Sequence, residues 1–313
     1  MDPATSLEEA PAELAAGRRL LLKREDQHEL GAFKWRGALP SLESYRERGA
    51  SGVVTASTGN HGAATAWAAQ RTGLRAVVFV PEEVSRAKVA LMEQLGAELR
   101  PVGADLDEAK DAARGFAEVN GMPFFEDGAE PAQFEGYTAI GREIVGQLGE
   151  RPVVTVVPVG NGALLIGVAR GLAGRTASLR GRPSRPLAHG AVGVVSKDAP
   201  VMALSVAAGH PVECDRMSTF ADGLAVRVAV PPAVEELVRL GTPFVEVSER
   251  AIARGVGAFA AVGLRVEGSA AAALAALETL DAPGGAVALV VTGRNIDDEL
   301  YRRALDEPES FPD

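Results

Sequence analysis

The chain alternates between short apolar, β-branched runs and longer stretches of helical periodicity, punctuated by glycine and proline. Leu20-Leu21-Leu22-Lys23-Arg24-Glu25-Asp26 reads as a strand running into charge, and a helical pattern opens at Gly37, Ala38 and Leu39. A β-rich run from Gly52 to Ser57 passes through Thr58-Gly59-Asn60-His61-Gly62 into an alanine-rich helix over 63–70 that stops at Gly73. Strands follow at 76–80 and 99–102, with helices at 85–95 and 106–120. Three strand–helix steps joined by short loops predict a small parallel α/β unit. Further on, the pattern predicts a helix over 139–148 and then the most β-branched run of the chain, Val153 to Val159. That run is apolar on both faces, as at the centre of a buried parallel sheet. A helix at 164–172, a strand at 191–195, a helix at 199–209 and a last buried strand at 286–291 continue the alternation. The stretch 268–280 is almost all alanine and leucine, so its helix must be packed on several sides. Residues 173–189, arginine-rich with two prolines, read as a surface insertion, and the acidic, proline-containing residues 304–313 as loose.

This layout predicts an α/β protein of two open, mostly parallel twisted sheets flanked by helices. A small substrate-binding lobe, residues 49–134, is inserted into a larger lobe made of residues 1–48 and 135–313. The ligand site is expected in the cleft between them, where strands end. Composition narrows the partners. With 47% hydrophobic and 24% charged residues, the 313-residue chain has the balance of a soluble globular protein. A net charge of −10 argues against nucleic acid or an anionic membrane as partner, since both need a basic face. A single cysteine, Cys214, forms no internal disulfide and fits a reducing compartment. Neither a signal pattern nor a membrane-length apolar run is present, so a cytoplasmic location is expected.

Four stretches carry candidate chemistry. Lys34 stands just past the Gly31 turn between Phe33 and Trp35, where an amine can be held against a flat ring. Desolvation lowers a lysine's pKa and favours Schiff-base chemistry, although a lone lysine here equally suits a surface position at a helix start. Val159-Gly160-Asn161-Gly162-Ala163-Leu164, between a buried strand and a helix, has the form of a phosphate cradle built from backbone N–H groups, or of an ordinary strand–helix turn. Ser57-Thr58-Gly59-Asn60-His61-Gly62 is either a helix cap or a set of donors for a substrate carboxylate. Thr292-Gly293-Arg294-Asn295 follows the last buried strand, where a hydroxyl could donate to a heteroaromatic nitrogen.

The order lysine, Ser-Thr-Gly-Asn-His, glycine loop, Thr-Gly-Arg-Asn resembles the fold type II pyridoxal-phosphate enzymes, in particular the threonine/serine dehydratase and serine racemase group. Thr219-Phe220-Ala221-Asp222-Gly223-Leu224-Ala225-Val226 and Val266-Glu267-Gly268-Ser269-Ala270 extend the resemblance over nearly the whole chain. It implies pyridoxal 5'-phosphate as cofactor, with Lys34 forming the Schiff base and moving the Cα proton. Phe33 would pack beside the ring and Asn60 would bond its phenolic oxygen. Gly160, Asn161, Gly162, Ala163 and Leu164 would hold the phosphate, and Thr292 would face the ring nitrogen. Ser57, Thr58, Gly59, Asn60 and His61 would receive the substrate carboxylate. A hydroxyl at the ring nitrogen makes a weaker electron sink than a carboxylate would, which suits elimination over transamination.

Departures from the pattern qualify this. Asn161 and Ala163 interrupt the usual glycines of the cradle, and Ala163 would cost roughly 1 kcal/mol or more in a left-handed conformation. Arg294 replaces a glycine and could be swung to solvent or could select an acidic substrate. Ser196-Lys197-Asp198 lacks the carboxylate that metal-activated relatives place there, so no divalent metal is expected. Glu135-Gly136-Tyr137-Thr138 looks closer to threonine synthase than to the dehydratases. Thr58, where racemases of the group carry serine, leaves side racemisation open. The expected activity is β-elimination of a small-molecule β-hydroxy amino acid such as L-threonine or L-serine. Racemisation, β- or γ-replacement, and cofactor binding without turnover are the alternatives. A homodimer is expected from the family, and no feedback control, because no regulatory domain follows the catalytic part.

Overall fold

A computed structural model describes residues 4–15, 17–84, 86–149, 151, 153–173, 189–214, 217–280 and 285–313. The expected surface insertion at 173–189 lies largely outside these residues. Nine strands occur among those described: β1 Leu7–Glu9, β2 Leu20–Arg24, β3 Gly52–Ala56, β4 Arg75–Val80, β5 Glu98–Pro101, β6 Val153–Pro158, β7 His189–Ser196, β8 Phe244–Val247 and β9 Ala286–Val291. The chain divides into two compact units, residues 33–136 and residues 1–32 with 137–313.

In the smaller unit β3, β4 and β5 pair in parallel, in that order. Side chains alternate across a strand, and β4 uses both faces. Val77 and Phe79 pack with Val54 against Ala109, Ala113 and Ala117 of the helix Leu106–Asn120. Val78 and Val80 pack the other way, with Ala63, Val89 and Met92. The helix Trp35–Glu47 packs on the helix Asn60–Thr72, with the Trp35 and Trp67 rings edge to face at 6.1 Å. The backbone beyond Leu106–Asn120 then runs beside β3. Val54 N–H donates to the Pro123 carbonyl at 2.9 Å, and Phe125 N–H donates to that of Val54 at 2.7 Å.

The larger unit is a six-stranded sheet in the order β1-β2-β9-β6-β7-β8, parallel except for the β1–β2 pair. All six residues of β9 are buried, as the two-sided apolar pattern requires. The helix Gly268–Ala275 is buried through Ala273 and again at Ala275, which meets the expectation of packing on several sides. It ends in a short 3-10 turn at Ala276–Glu278 instead of continuing to residue 280. Lys23 is fully buried within β2, where its ammonium donates to Glu143 Oε2 at 2.5 Å and to the Thr5 carbonyl at 2.8 Å.

Several elements lie outside those that the sequence expectation names. The helices Pro231–Leu240 and Glu249–Ala261, with β8 between them, go beyond the sequence expectation, as does the edge strand β1. The loose C-terminus expected at 304–313 is also corrected. The helix Asp298–Asp306 covers its start, and Phe311, only 4% exposed, stacks on Phe220 at 4.6 Å. Arg250 N–H binds the Pro312 carbonyl at 2.7 Å. One aromatic ring docked into the core outweighs an acidic, proline-containing composition. Among the described residues, no helix is long and apolar enough to cross a membrane.

The helices Pro131–Leu148 and Ala163–Ala173 touch backbone to backbone at two glycines. A Cβ on Gly141 would lie 2.3 Å from the Val168 carbonyl oxygen, and one on Gly171 2.3 Å from that of Thr138. Neither backbone can yield cheaply. Gly141→Ala is expected to lower stability by about 1–3 kcal/mol in urea unfolding, and an unchanged midpoint would show that the two helices part without cost.

Candidate active site

Each unit carries one part of the expected machinery. In the smaller unit Lys34 is the residue immediately before the helix Trp35–Glu47, and its side chain is only 15% exposed. Its ammonium lies 5.1 Å from the centre of the Phe33 ring and is paired with the Asp127 carboxylate. Asp127 comes just after the segment that pairs with β3, so strand pairing fixes where its loop begins. Its other oxygen accepts from Gln133 Nε2 at 2.6 Å, and Gln133 Oε1 in turn accepts the Gly128 N–H at 2.7 Å. That second bond fixes which way the Gln133 amide points, so the carboxylate is held in one orientation. Burial alone would raise the Asp127 pKa, but the Lys34 charge, the interaction with His61 and the hydrogen bonds from Lys34 and Gln133 outweigh it and hold the carboxyl well below its ordinary range.

The Ser-Thr-Gly-Asn-His run also takes on definite roles. Ser57 Oγ accepts the Gly59 N–H at 3.2 Å, shaping the turn, while the helix Asn60–Thr72 begins without a side-chain cap. His61 is buried, with Nε2 facing Thr55 Oγ1 at 3.0 Å and the Phe125 carbonyl at 3.2 Å. A carbonyl only accepts, so Nε2 carries a hydrogen, and Nδ1 lies 3.6 Å from Asp127 Oδ1. Burial pushes the His61 pKa down, against the opposite pull of the Asp127 carboxylate. Its ring nitrogens are thus turned to the protein interior and to Asp127. Thr58 is partly exposed.

In the larger unit the loop after β6 turns at Gly162, whose φ of +92° is left-handed, and Ala163 is already the first residue of the helix Ala163–Ala173. Ala163 therefore bears none of the expected strain. Asn161 has a consequence of its own, because its Oδ1 accepts the Ala163 N–H at 3.1 Å and takes one donor from the cradle. The loop rests on residues 220–226, and a Cβ on Gly160 would lie 2.2 Å from the Gly223 carbonyl oxygen. Buried Glu249 anchors that segment by accepting the Phe220 N–H at 2.9 Å and the Ser196 hydroxyl at 2.5 Å.

Thr292 is buried, and its hydroxyl donates to Glu267 Oε1 at 2.7 Å. In this structure the hydroxyl proton is directed to that carboxylate, whereas the sequence expectation has it facing a ring nitrogen. The Arg294 guanidinium is anchored on the Asp26 carbonyl at 2.5 Å.

These residues fit pyridoxal phosphate. Gly160 leaves no room for a side chain in the cradle, and the first turn of a helix leaves N–H groups for an anion. Ser269, beside Gly223, is 3% exposed, and among the described residues its hydroxyl has no hydrogen-bond partner, a donor that a polar ligand can satisfy. Sequence reasoning missed Asp127 and Gln133. An Asp before a glycine in a loop reads as turn chemistry, and only the pairing of residues 123–125 with β3 shows otherwise.

Both the cradle and the ion pair can be tested in solution. Asn161→Gly frees the Ala163 N–H and is expected to tighten cofactor binding by about five- to tenfold in a spectral titration; unchanged or weaker binding would mean that this N–H is not used. In the cofactor-free protein, the Lys34–Asp127 pair stabilises the fold above the ordinary aspartate value of 3.8 and loses its effect as pH falls through the lowered folded value. The Tm gap between wild type and Asp127→Asn should therefore be widest near neutral pH and should close on acidification below about pH 4.

Residues 3–293 match the family model described as pyridoxal-phosphate-dependent enzyme. Over 298 residues the chain is 32% identical to an L-threonine ammonia-lyase of Thermotoga maritima, covering 93% of this chain and 71% of that one. It is 34% identical over 212 residues to a biosynthetic L-threonine dehydratase of Pasteurella multocida, covering 67% of this chain but only 39% of that enzyme. The processed form of threonine deaminase isoform 2 from Solanum lycopersicum superimposes with a TM-score of 0.88 at 28% identity, covering 97% of this chain and 88% of that one. With a lysine at a helix start, a glycine cradle after a buried strand and matches over nearly its full length, the chain belongs to the fold type II pyridoxal-phosphate-dependent enzymes, the family of the threonine/serine dehydratases and related racemases.

Proposed function

We propose that the protein eliminates water from a β-hydroxy amino acid, L-threonine or L-serine, and releases a 2-oxo acid and ammonia. The observation that carries this is the Lys34 amine, shielded from water, beside an aromatic ring and against a fixed carboxylate. An amine so placed can form an imine, take up a proton when freed and give it back. Bound pyridoxal phosphate supplies the electron sink that makes the Cα–H bond acidic. Lys34 removes that proton while Ser57, Thr58 and the backbone at Gly59 and Asn60 hold the substrate carboxylate. Asn60 would bond the phenolic oxygen of the bound cofactor, and the N–H groups at Gly160, Gly162 and Leu164 would hold its phosphate. The β-hydroxyl leaves with a proton as water, and hydrolysis of the released enamine gives the 2-oxo acid and ammonia. The dehydratases and ammonia-lyases among the relatives support the same reaction.

A second reading is racemisation as a side activity, favoured by Thr58, a partly exposed residue in the run that would receive the carboxylate. We further propose that the protein works as a homodimer in the cytoplasm.

The purified, cofactor-loaded protein is expected to convert L-serine to pyruvate and L-threonine to 2-oxobutyrate, each with one equivalent of ammonia. Lys34→Ala should lower the rate by roughly 10²–10⁴-fold. Conversion only to D-serine, or only in the presence of an added nucleophile, would reject elimination as the main reaction.

A further inference from the structure

His61 stands in the run that the sequence offered for the substrate carboxylate, but its ring is committed elsewhere. It is only 6% exposed and packs on Phe125, with the ring centres 4.6 Å apart. Nε2 lies 3.2 Å from the Phe125 carbonyl and 3.0 Å from Thr55 Oγ1, and Thr55 Oγ1 itself donates to the same carbonyl at 2.8 Å. Two side-chain donors, one from β3 and one from the first turn of the helix Asn60–Thr72, therefore meet on one backbone oxygen. Phe125 is also tied to β3 by its own N–H, which donates to the Val54 carbonyl at 2.7 Å, and Asp127 follows two residues on.

Asp127 is thus set against Lys34 from two directions. Gln133 orients its carboxylate, and the grip on the Phe125 carbonyl fixes where the backbone starts towards it. His61 Nδ1, 3.6 Å from Asp127 Oδ1, is beyond an ordinary hydrogen bond and backs that oxygen by contact. Lys34 meets this carboxylate whenever its nitrogen is free and protonated, before the cofactor is attached and again after an amino acid has displaced it. A lysine amine on its flexible stem needs such a fixed partner, because a shift of about 1 Å in a reacting nitrogen can cost roughly 100-fold in rate. We infer that His61 is a positioning residue for Lys34, acting through the Phe125 carbonyl and Asp127, and takes no part in receiving the substrate carboxylate. The inference rests on Lys34 being the residue that forms the imine.

The test compares His61→Gln, whose amide nitrogen extends as far as Nε2 and can still reach the Phe125 carbonyl, with His61→Asn, whose amide is too short. Thr55→Val, which removes the other donor to that carbonyl, gives the same comparison with wild type if His61→Asn does not fold. The cofactor-loaded protein is mixed with L-alanine, an amino acid without a β-leaving group, and the absorbance change yields a saturating rate and a half-saturating concentration. Values of kcat and KM are measured with L-serine. His61→Asn is expected to lower the saturating rate and kcat by about tenfold, while the half-saturating concentration and KM move by less than about threefold. His61→Gln should stay within about threefold of wild type throughout. A His61→Asn variant with tenfold weaker L-alanine binding at an unchanged rate would return His61 to the carboxylate and overturn the assignment. Equal impairment of the Gln and Asn variants, impairment of neither, or no absorbance response of the wild type to L-alanine would also overturn it. A slowed L-alanine reaction in a protein that never turns over L-serine would sink the elimination reading and leave this one standing. Serine turnover with L-alanine kinetics indifferent to His61→Asn would do the reverse.

Discussion

The candidate site of the smaller unit is organised by one ion pair, Lys34 with Asp127, and by what keeps it in place. A lysine ammonium on the surface is a mobile point charge on four rotatable carbons. Here the stem is largely shielded, an aromatic ring lies beside the head, and the partner carboxylate is itself clamped by Gln133. The clamp is local in space but not in sequence. Asp127 reaches Lys34 because residues 123–125 pair with β3, which brings a loop 93 positions away onto the start of the helix Trp35–Glu47.

The larger unit meets a different constraint, that of bringing backbone close to backbone. The cradle after β6 can present its N–H groups only because Gly160 lies flat against the Gly223 carbonyl, and residues 220–226 stay there because a buried carboxylate, Glu249, ties Phe220 to the end of β7. The same economy recurs where Gly141 and Gly171 let two helices touch. A protein 47% hydrophobic but with only 5% aromatic residues builds its contacts from alanine, valine and glycine, so precision comes from short backbone distances more than from large side chains.

Much of this is legible without any coordinates. Strands with apolar residues on both faces, such as β6 and β9, and alanine-rich helices ending at glycine declare the parallel α/β architecture, because burial on both sides leaves no room for polar positions. The order of Lys34, the Ser57–His61 run, the glycine loop and Thr292 points to the family. What escapes is non-local. β8 is only four residues long, its flanking helices are amphipathic yet go unnamed in the sequence reading, and the tail looks loose by its charge although Phe311 docks into the core. The direction of the Thr292 hydroxyl, the Asn161 bond to the cradle and the carboxylate opposite Lys34 depend on neighbours 25, 2 and 93 positions away, and no periodicity encodes two of those three.

If Lys34 is the amine around which the rest is arranged, the cofactor must be attached to it. Borohydride reduction of the pyridoxal-phosphate-loaded protein, followed by peptide mapping, tests this most directly. The account predicts a single phosphopyridoxyl group on Lys34; its presence on another lysine, with Lys34 unmodified, would contradict it.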